Sequence, residues 1–289
     1  MEYSKAAEIL NRRIFTGDKR TILINIADYP ERFIGLFRPT KPKAKILQNL
    51  LQSHEIRFGD AIEELLKAII SEMGYSSLEG RLQNLEGERL SLDQYFTNGE
   101  IVYFVEQKVR DDHDSTKKRG QIRNFESKLE ILNKIHPDRL VGIMYFIDPE
   151  LEKNKNYYLH ELSDLSVFYN VPLYLFYGPE LFVFLGHPEL WDELISWLMR
   201  WKSELPDLPE VNFDNEPIKT SKELMGLPLS KLRRLINNKG IWDEGIIQVL
   251  FKDGTTLRLV LDEFSQKKTR PYLILSEVLK EKLDKYYGK

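Results

Sequence analysis

The sequence predicts an α/β chain: a mixed β-sheet flanked by helices, with a small α+β module at the C-terminal end. Three observations carry this. From residue 59 the pattern runs helix, strand, strand, helix, strand, helix, strand, an order that builds a sheet covered by helices. Two of those strands, Leu140 to Ile147 and Leu173 to Tyr177, are continuous apolar runs, as strands buried on both faces are. A stretch with three prolines, residues 205–221, then separates this pattern from a basic C-terminal segment.

Taken in order, residues 3–15 form a short amphipathic helix and Thr21 to Ile26 a short strand. Pro39 and Pro42 interrupt the chain, and a long helix follows from about Ala44 to Met73, broken near Phe58-Gly59. In its second half Ile62, Leu65, Leu66, Ile69 and Ile70 recur at helical spacing, and Gly74 stops it. Leu82 to Leu90 is the place for a further strand. Asp93 opens an apolar run, Thr97-Asn98-Gly99 turns the chain, and Ile101 to Val109 is the next strand, with Ile101, Tyr103 and Val105 alternating with Val102 and Phe104.

A helix from Thr116 to Ile135 follows, capped by Ser115 or Thr116 and ended by His136-Pro137. After the first buried strand comes a helix from about Tyr157 to Tyr169. After the second come a short strand at Phe182 to Leu185 and a helix from Trp191 to Lys202, whose Trp191, Trp197 and Trp201 face a core or a subunit interface. Beyond residue 221, helices are expected at Leu229–Asn237 and Ser276–Tyr287. Gly245–Phe251 and Thr256–Leu261 flank Lys252-Asp253-Gly254-Thr255 as a hairpin, giving a module of helix-turn-helix-like kind. The expected organisation is a basic helical arm (1–54), a core (55–204), a linker (205–221) and a recognition or dimerisation module (222–289).

Composition narrows the class. At 42% hydrophobic residues, 289 residues build a substantial core. The absence of cysteine excludes disulfides and thiolate metal sites and fits a cytoplasmic setting. No run of 18 apolar residues is present, so no membrane span is expected, and the first residues lack the apolar segment of a signal peptide. A net charge of −3 counts against a simple basic nucleic-acid binder. Its distribution says more: residues 1–50 and 217–289 are net +5 and +6, while 51–148 and 149–216 are net −5 and −9. Basic ends suit phosphate contact, and an acidic middle suits a site that needs carboxylates.

The chemistry concentrates between Asp93 and Lys128. Alternation along a strand puts Glu106 and Lys108 on one face, about 6.8 Å apart. If the two runs pair as neighbours, Asp93 lies beside Glu106. Two carboxylates and an ammonium then converge at a sheet edge, which is the composition of a divalent-metal site with a cation beside it. Phosphodiester hydrolysis needs an in-line water and a sink for negative charge, and Mg²⁺ provides that sink with oxygen ligands at about 2.0–2.1 Å. Asp93, Glu106 and the backbone carbonyl of Gln107 supply such oxygens, and Lys108 is placed to orient the attacking water or help it lose a proton. A bound metal would lower the Lys108 pKa.

These residues resemble the PD-(D/E)XK nuclease motif: Asp93, then Glu106-Gln107-Lys108 thirteen residues later at the end of an apolar strand. Leu92 stands where that motif often has proline, and Gln107 where it usually has an apolar residue. Gly59-Asp60-Ala61-Ile62-Glu63 is similar to the glycine-to-glutamate pattern of that family's first core helix, whose glutamate often reaches the metal site, so the resemblance adds Glu63 to the catalytic set. The run from Glu106 to Gln121, EQKVRDDHDSTKKRGQ, looks like type II restriction endonucleases within the superfamily. The resemblance covers roughly residues 55–185. It implies a restriction-endonuclease-like core, Mg²⁺ as cofactor, double-stranded DNA as substrate, 5′-phosphate and 3′-hydroxyl products, a homodimer matched to a symmetric DNA site, and a cognate DNA methyltransferase as functional partner.

Lys117, Lys118, Arg119, Gln121 and Arg123 follow the metal strand directly and open a helix, which favours phosphate contact. Asn237, Asn238, Lys239 and Arg233 are candidates for reading bases. Blander alternatives stand beside each assignment. Glu106 and Lys108 also suit a solvated ion pair, Asp93 a turn cap, and the basic cluster a polar helix face. Glu63 competes with Glu64. Asp111, Asp112 and Asp114 suit helix capping better than metal binding, and His113 is too isolated for zinc. The competing functions are a structure-selective repair or recombination nuclease and a non-catalytic DNA-binding regulator.

Overall fold

The computed structural model describes residues 1–37, 39–83, 89–112 and 114–288. His113 therefore lies outside the described residues, as do residues 84–88 of the stretch from Leu82 to Leu90. The chain divides into two compact units: Met1–Arg13 with Arg57–Leu205, and Ile14–Ile56 with Pro206–Lys289. This division cuts across the expected arm, core, linker and module.

The elements are α1 (Tyr3–Phe15), α2 (Asp18–Asp28), α3 (Pro42–Glu72), β1 (Ser76–Ser77), β2 (Arg81–Gln83), β3 (Arg89–Ser91), β4 (Gln94–Thr97), β5 (Val102–Lys108), α4 (Ser115–Ile135), β6 (Leu140–Phe146), α5 (Lys155–Tyr169), β7 (Leu173–Tyr177), α6 (Glu180–Phe184) and α7 (Glu189–Glu204). Then come α8 (Pro217–Met225), α9 (Leu229–Asn237), α10 (Lys239–Asp243), α11 (Ile246–Leu250), α12 (Thr255–Gln266) and α13 (Arg270–Tyr287).

The first unit holds the expected mixed sheet, in the order β1-β4-β5-β6-β7. β1 and β4, and β4 and β5, pair antiparallel; β5, β6 and β7 run parallel. The parallel pairs require crossovers, which α4 and α5 make. Every residue of β6 is consequently buried. On one sheet face Val102, Phe104, Met144, Phe146 and Tyr177 pack against Ile122, Phe125, Leu129 and Leu132 of α4 and Tyr158 and Leu162 of α5. The α4 residues recur at three- and four-residue spacing, the stripe that a helix lays on a sheet. Gly142 of β6 is required here: a Cβ would lie 2.6 Å from Leu173 Cδ2 and 2.7 Å from the Phe104 ring. β2 and β3 form a separate antiparallel ribbon.

Several local expectations are corrected. α3 is continuous through Phe58-Gly59. Phe182 to Leu185 is not a strand but the end of α6 and its cap. α4 is capped by Asp114, whose carboxylate accepts from the Thr116 and Lys117 N–H groups, and not by Ser115 or Thr116. Trp197 and Trp201, by contrast, are buried as a core position requires, and the Trp201 indole N–H donates to Asn11 Oδ1 at 2.9 Å.

The second unit is helical throughout its described residues, so the expected α+β character of the C-terminal module is not found. Thr21 to Ile26 lies in α2, where Ile22, Leu23, Ile26 and Ala27 are buried at helical spacing. Lys252 to Thr255 joins two helices instead of two strands. Gly254 takes the left-handed conformation (φ 74°) before α12, and the Asp214 carboxylate accepts the N–H groups of Asp253, Gly254 and Thr256. An αL glycine serves a helix entry as well as a hairpin turn, which is why the signal misled. The expected linker instead supplies core: Val211 and Phe213 are buried, and α8 buries Thr220 and Ser221. Among the described residues no helix is long and apolar enough to cross a membrane.

Candidate active site

The site forms where β4 and β5 part. Their register pairs Gln94 with Val105, and one step further sets Asp93 opposite Glu106. Both strand faces are apolar up to Val105, so the charged residues that follow sit at the end of a buried strand, not along an exposed one. Glu106 is 2% exposed, Asp93 20% and Lys108 29% by side chain.

The Lys108 ammonium donates to Glu106 Oε1 at 2.7 Å, to the Gln107 carbonyl at 2.7 Å and to Asp93 Oδ2 at 3.3 Å. Three oxygens, from two carboxylates and one carbonyl, thus converge on one cationic centre. Asp93 Oδ2 also accepts the Gln107 N–H at 2.8 Å, which fixes its rotamer. This donor set is the hard-oxygen kind that suits Mg²⁺ and leaves coordination positions for water and phosphate. Among the described residues no group of three or more His, Asp or Glu side chains is gathered closely enough to cage a metal by itself.

The electrostatics follow from burial and neighbours. Burial would raise the Glu106 carboxyl, but Lys108 and Lys128 outweigh it and hold the group below its ordinary value. Burial and then the Glu106 charge push Asp93 up, against the pull of Lys108 and Lys128. Burial opposes the Lys108 ammonium, yet Glu106 and Asp93 more than offset it and raise its pKa. In this arrangement Lys108 is a cation that donates.

Glu63 lies on α3, with its backbone carbonyl accepting from Gln94 Nε2 at 2.8 Å. Its carboxyl is pushed up to about 7, first by burial and then by Asp93 and Asp60. Glu64, its rival in the sequence, is bound by Arg12 and Arg13 of α1. Gln107 is buried on the opposite sheet face from Lys108, and its Oε1 accepts from Gln94 at 3.2 Å, so a polar partner answers the polar side chain.

Of the basic cluster on α4, Lys117, Arg119 and Arg123 are exposed. Lys118 lies 4.4 Å over the Tyr157 ring, and the Gln121 side-chain Oε1 accepts from the Tyr158 hydroxyl. Asp111 is wholly buried and accepts from the Asn154 backbone and side-chain N–H groups at 2.7 Å and from the Tyr177 hydroxyl at 3.0 Å, a structural latch. In the second unit Arg233, Asn237 and Lys239 are exposed, while Asn238 caps α10 through the Ile241 N–H.

Three residues at the site were not anticipated. Lys128 pairs with Glu106 Oε2, Asn124 Nδ2 donates to Glu106 Oε1 at 3.3 Å, and Gln94 ties Glu63 to Gln107. The signal for Lys128 was available: it interrupts the apolar stripe of Phe125, Leu129 and Leu132.

A family model described as Type II restriction endonuclease, HinfI, matches residues 2–85 and 79–202. The match spans more than half of the chain and takes in every strand of the sheet together with Asp93, Glu106 and Lys108. No curated protein matches the chain.

Proposed function

The chain belongs to the HinfI family of type II restriction endonucleases and is a site-specific deoxyribonuclease, a hydrolase acting on DNA; we propose that Asp93, Glu106 and Lys108 cut the phosphodiester with Mg²⁺ as cofactor. The observation that carries this is the convergence of Asp93 Oδ2, Glu106 Oε1 and the Gln107 carbonyl on the Lys108 ammonium.

Asp93, Glu106 and the Gln107 carbonyl would hold the Mg²⁺. When bound, the ion would neutralise charge on the phosphate and make a neighbouring water more acidic. Glu106, kept ionised by its two lysines, offers a full negative charge to that site. Lys108 donates hydrogen bonds to the attacking water or to a phosphate oxygen, holding the water in line with the leaving 3′-oxygen. Glu63 sits beside Asp93 with a carboxyl near neutrality, placed to take or return a proton at the edge of the site. Lys117, Lys118, Arg119, Gln121 and Arg123 carry the backbone contacts, with the three exposed cations foremost.

Water attack with the 3′-oxygen leaving yields 5′-phosphate and 3′-hydroxyl ends. One such site cuts one strand, so cutting both strands of a symmetric sequence calls for a homodimer. A cytoplasmic enzyme of this kind also needs a cognate methyltransferase to protect host DNA. The test is the end chemistry: fragments that are ligated without prior treatment, and labelled by polynucleotide kinase only after phosphatase, carry 5′-phosphates. Fragments labelled directly would contradict the proposal.

A further inference from the structure

Lys128 stands on α4 where a hydrophobic side chain belongs. Its stripe neighbours Phe125, Leu129 and Leu132 are fully buried, and its own side chain is 4% exposed. A buried ammonium persists only when paired, and its partner is Glu106 Oε2. Glu106 Oε1 takes Asn124 Nδ2 at 3.3 Å and the Lys108 ammonium at 2.7 Å. The carboxylate is thus gripped on both oxygens, and two of its three side-chain partners come from one helix.

Stability does not account for this arrangement, because a buried ion pair is often replaced by apolar side chains at no cost to stability. The two lysines also differ in access. Lys108 is 29% exposed and lies at the point where the oxygens converge; Lys128 is 4% exposed and lies on the buried side. A cation arriving from solvent can displace the first and cannot displace the second.

We propose that Lys128 and Asn124 are positioning residues for the cleavage reaction, clamping the Glu106 carboxylate from α4 so that Oε1 stays aimed at the point it shares with Asp93 Oδ2 and the Gln107 carbonyl. The inference rests on the role given to Glu106 in the proposed function. Lys128 is too deeply buried to touch DNA, so its loss slows the chemical step without weakening DNA binding. Its positive charge also opposes a divalent ion nearby, so its loss does not weaken Mg²⁺ binding.

The test uses Lys128→Met and Asn124→Ala in the full chain, with thermal melting to establish that each folds. Three quantities are measured: the Kd for DNA in Ca²⁺, Mg²⁺ binding by calorimetry without DNA, and the single-turnover cleavage rate at saturating Mg²⁺. For Lys128→Met the cleavage rate is expected to fall about 100-fold, the scale of a misaimed catalytic group. DNA affinity is expected to stay within about twofold and Mg²⁺ binding to be equal or tighter, in line with the lost repulsion. Asn124→Ala, whose residue is exposed, is expected to lose about tenfold in rate, on the scale of one hydrogen bond. Rates within about twofold of wild type in both variants would overturn the proposal. So would loss of DNA binding, Mg²⁺ binding and rate in equal measure, the mark of a residue that only supports the fold. If Lys128→Met does not fold, an unchanged rate in Asn124→Ala overturns the proposal and a tenfold fall supports it. Lys108→Ala separates the two claims. Cleavage that survives it removes the proposed function itself, whereas cleavage lost in Lys108→Ala and kept in Lys128→Met removes only the clamp.

Discussion

Asp93 and Glu106 face each other across the antiparallel pair β4 and β5, and the Lys108 ammonium bridges them, 3.3 Å from Asp93 Oδ2 and 2.7 Å from Glu106 Oε1. The register that creates this pair is enforced from the buried part of the strands. A slip of one residue would turn Phe104 and Val102 away from α4 and carry Glu106 to the opposite face. Core packing and site geometry are therefore one constraint.

That shared cation point predicts a linked stability effect. Mg²⁺ at 100 times its Kd should stabilise the wild-type fold by about 2.7 kcal/mol. Asp93→Asn, which keeps the shape and removes the charge, should abolish most of that gain and slow cleavage at least about 100-fold. Melting curves with Mg²⁺ and with EDTA check the first, single-turnover assays the second.

Glu63 gives a pH signature in EDTA. Its folded carboxyl titrates at about 7 against an ordinary 4.5, so the folded state binds this proton more tightly than the unfolded state. The stabilisation is fully present below about pH 4.5 and is lost as pH rises through about 7. A shift of that size corresponds to about 3 kcal/mol, and partial exposure screens it to about 1 kcal/mol. Glu63→Gln should accordingly be about 1 kcal/mol more stable than wild type at about pH 8 and no different at about pH 4, by urea unfolding.

The exposed cations of α4 should act through counterion release. Arg119→Ala and Arg123→Ala are each expected to weaken DNA binding across sequences and to reduce the slope of log K against log salt by about 1. Titrations in Ca²⁺ over a range of salt measure this. A slope unchanged by both substitutions would place the backbone contacts elsewhere.

Gly142→Ala tests the sheet without touching the site. The added methyl meets Leu173 and the Phe104 ring at under 3 Å, so a loss of about 1–3 kcal/mol is expected from overpacking. Equilibrium unfolding reads it directly.

The sheet was legible in the sequence because burial on both faces leaves continuous apolar runs at β5 and β6; β7 carries an apolar run too, but as the edge strand it is only partly covered and Tyr174 is exposed, so the expected burial on both of its faces is not found. Asp93, Glu106 and Lys108 were legible because their spacing could be laid on paired strands. The helical unit was less so: Thr21 to Ile26 is rich in β-branched residues, yet its buried set follows a helix, and tertiary packing overrode local preference. The choice of Glu63 over Glu64 depended on Arg12 and Arg13, some fifty residues away in the chain. Lys128 was passed over because a lysine on a helix is ordinarily solvated; only the stripe around it shows that this one is buried.

The most direct test of the central claim is cleavage of unmethylated DNA by the full chain, with Mg²⁺ and with EDTA, beside Lys108→Ala. Discrete fragments that require Mg²⁺, and that Lys108→Ala does not produce while still binding DNA, are the predicted result. Equal cleavage by Lys108→Ala, or cleavage that persists in EDTA, would contradict the assignment of this site.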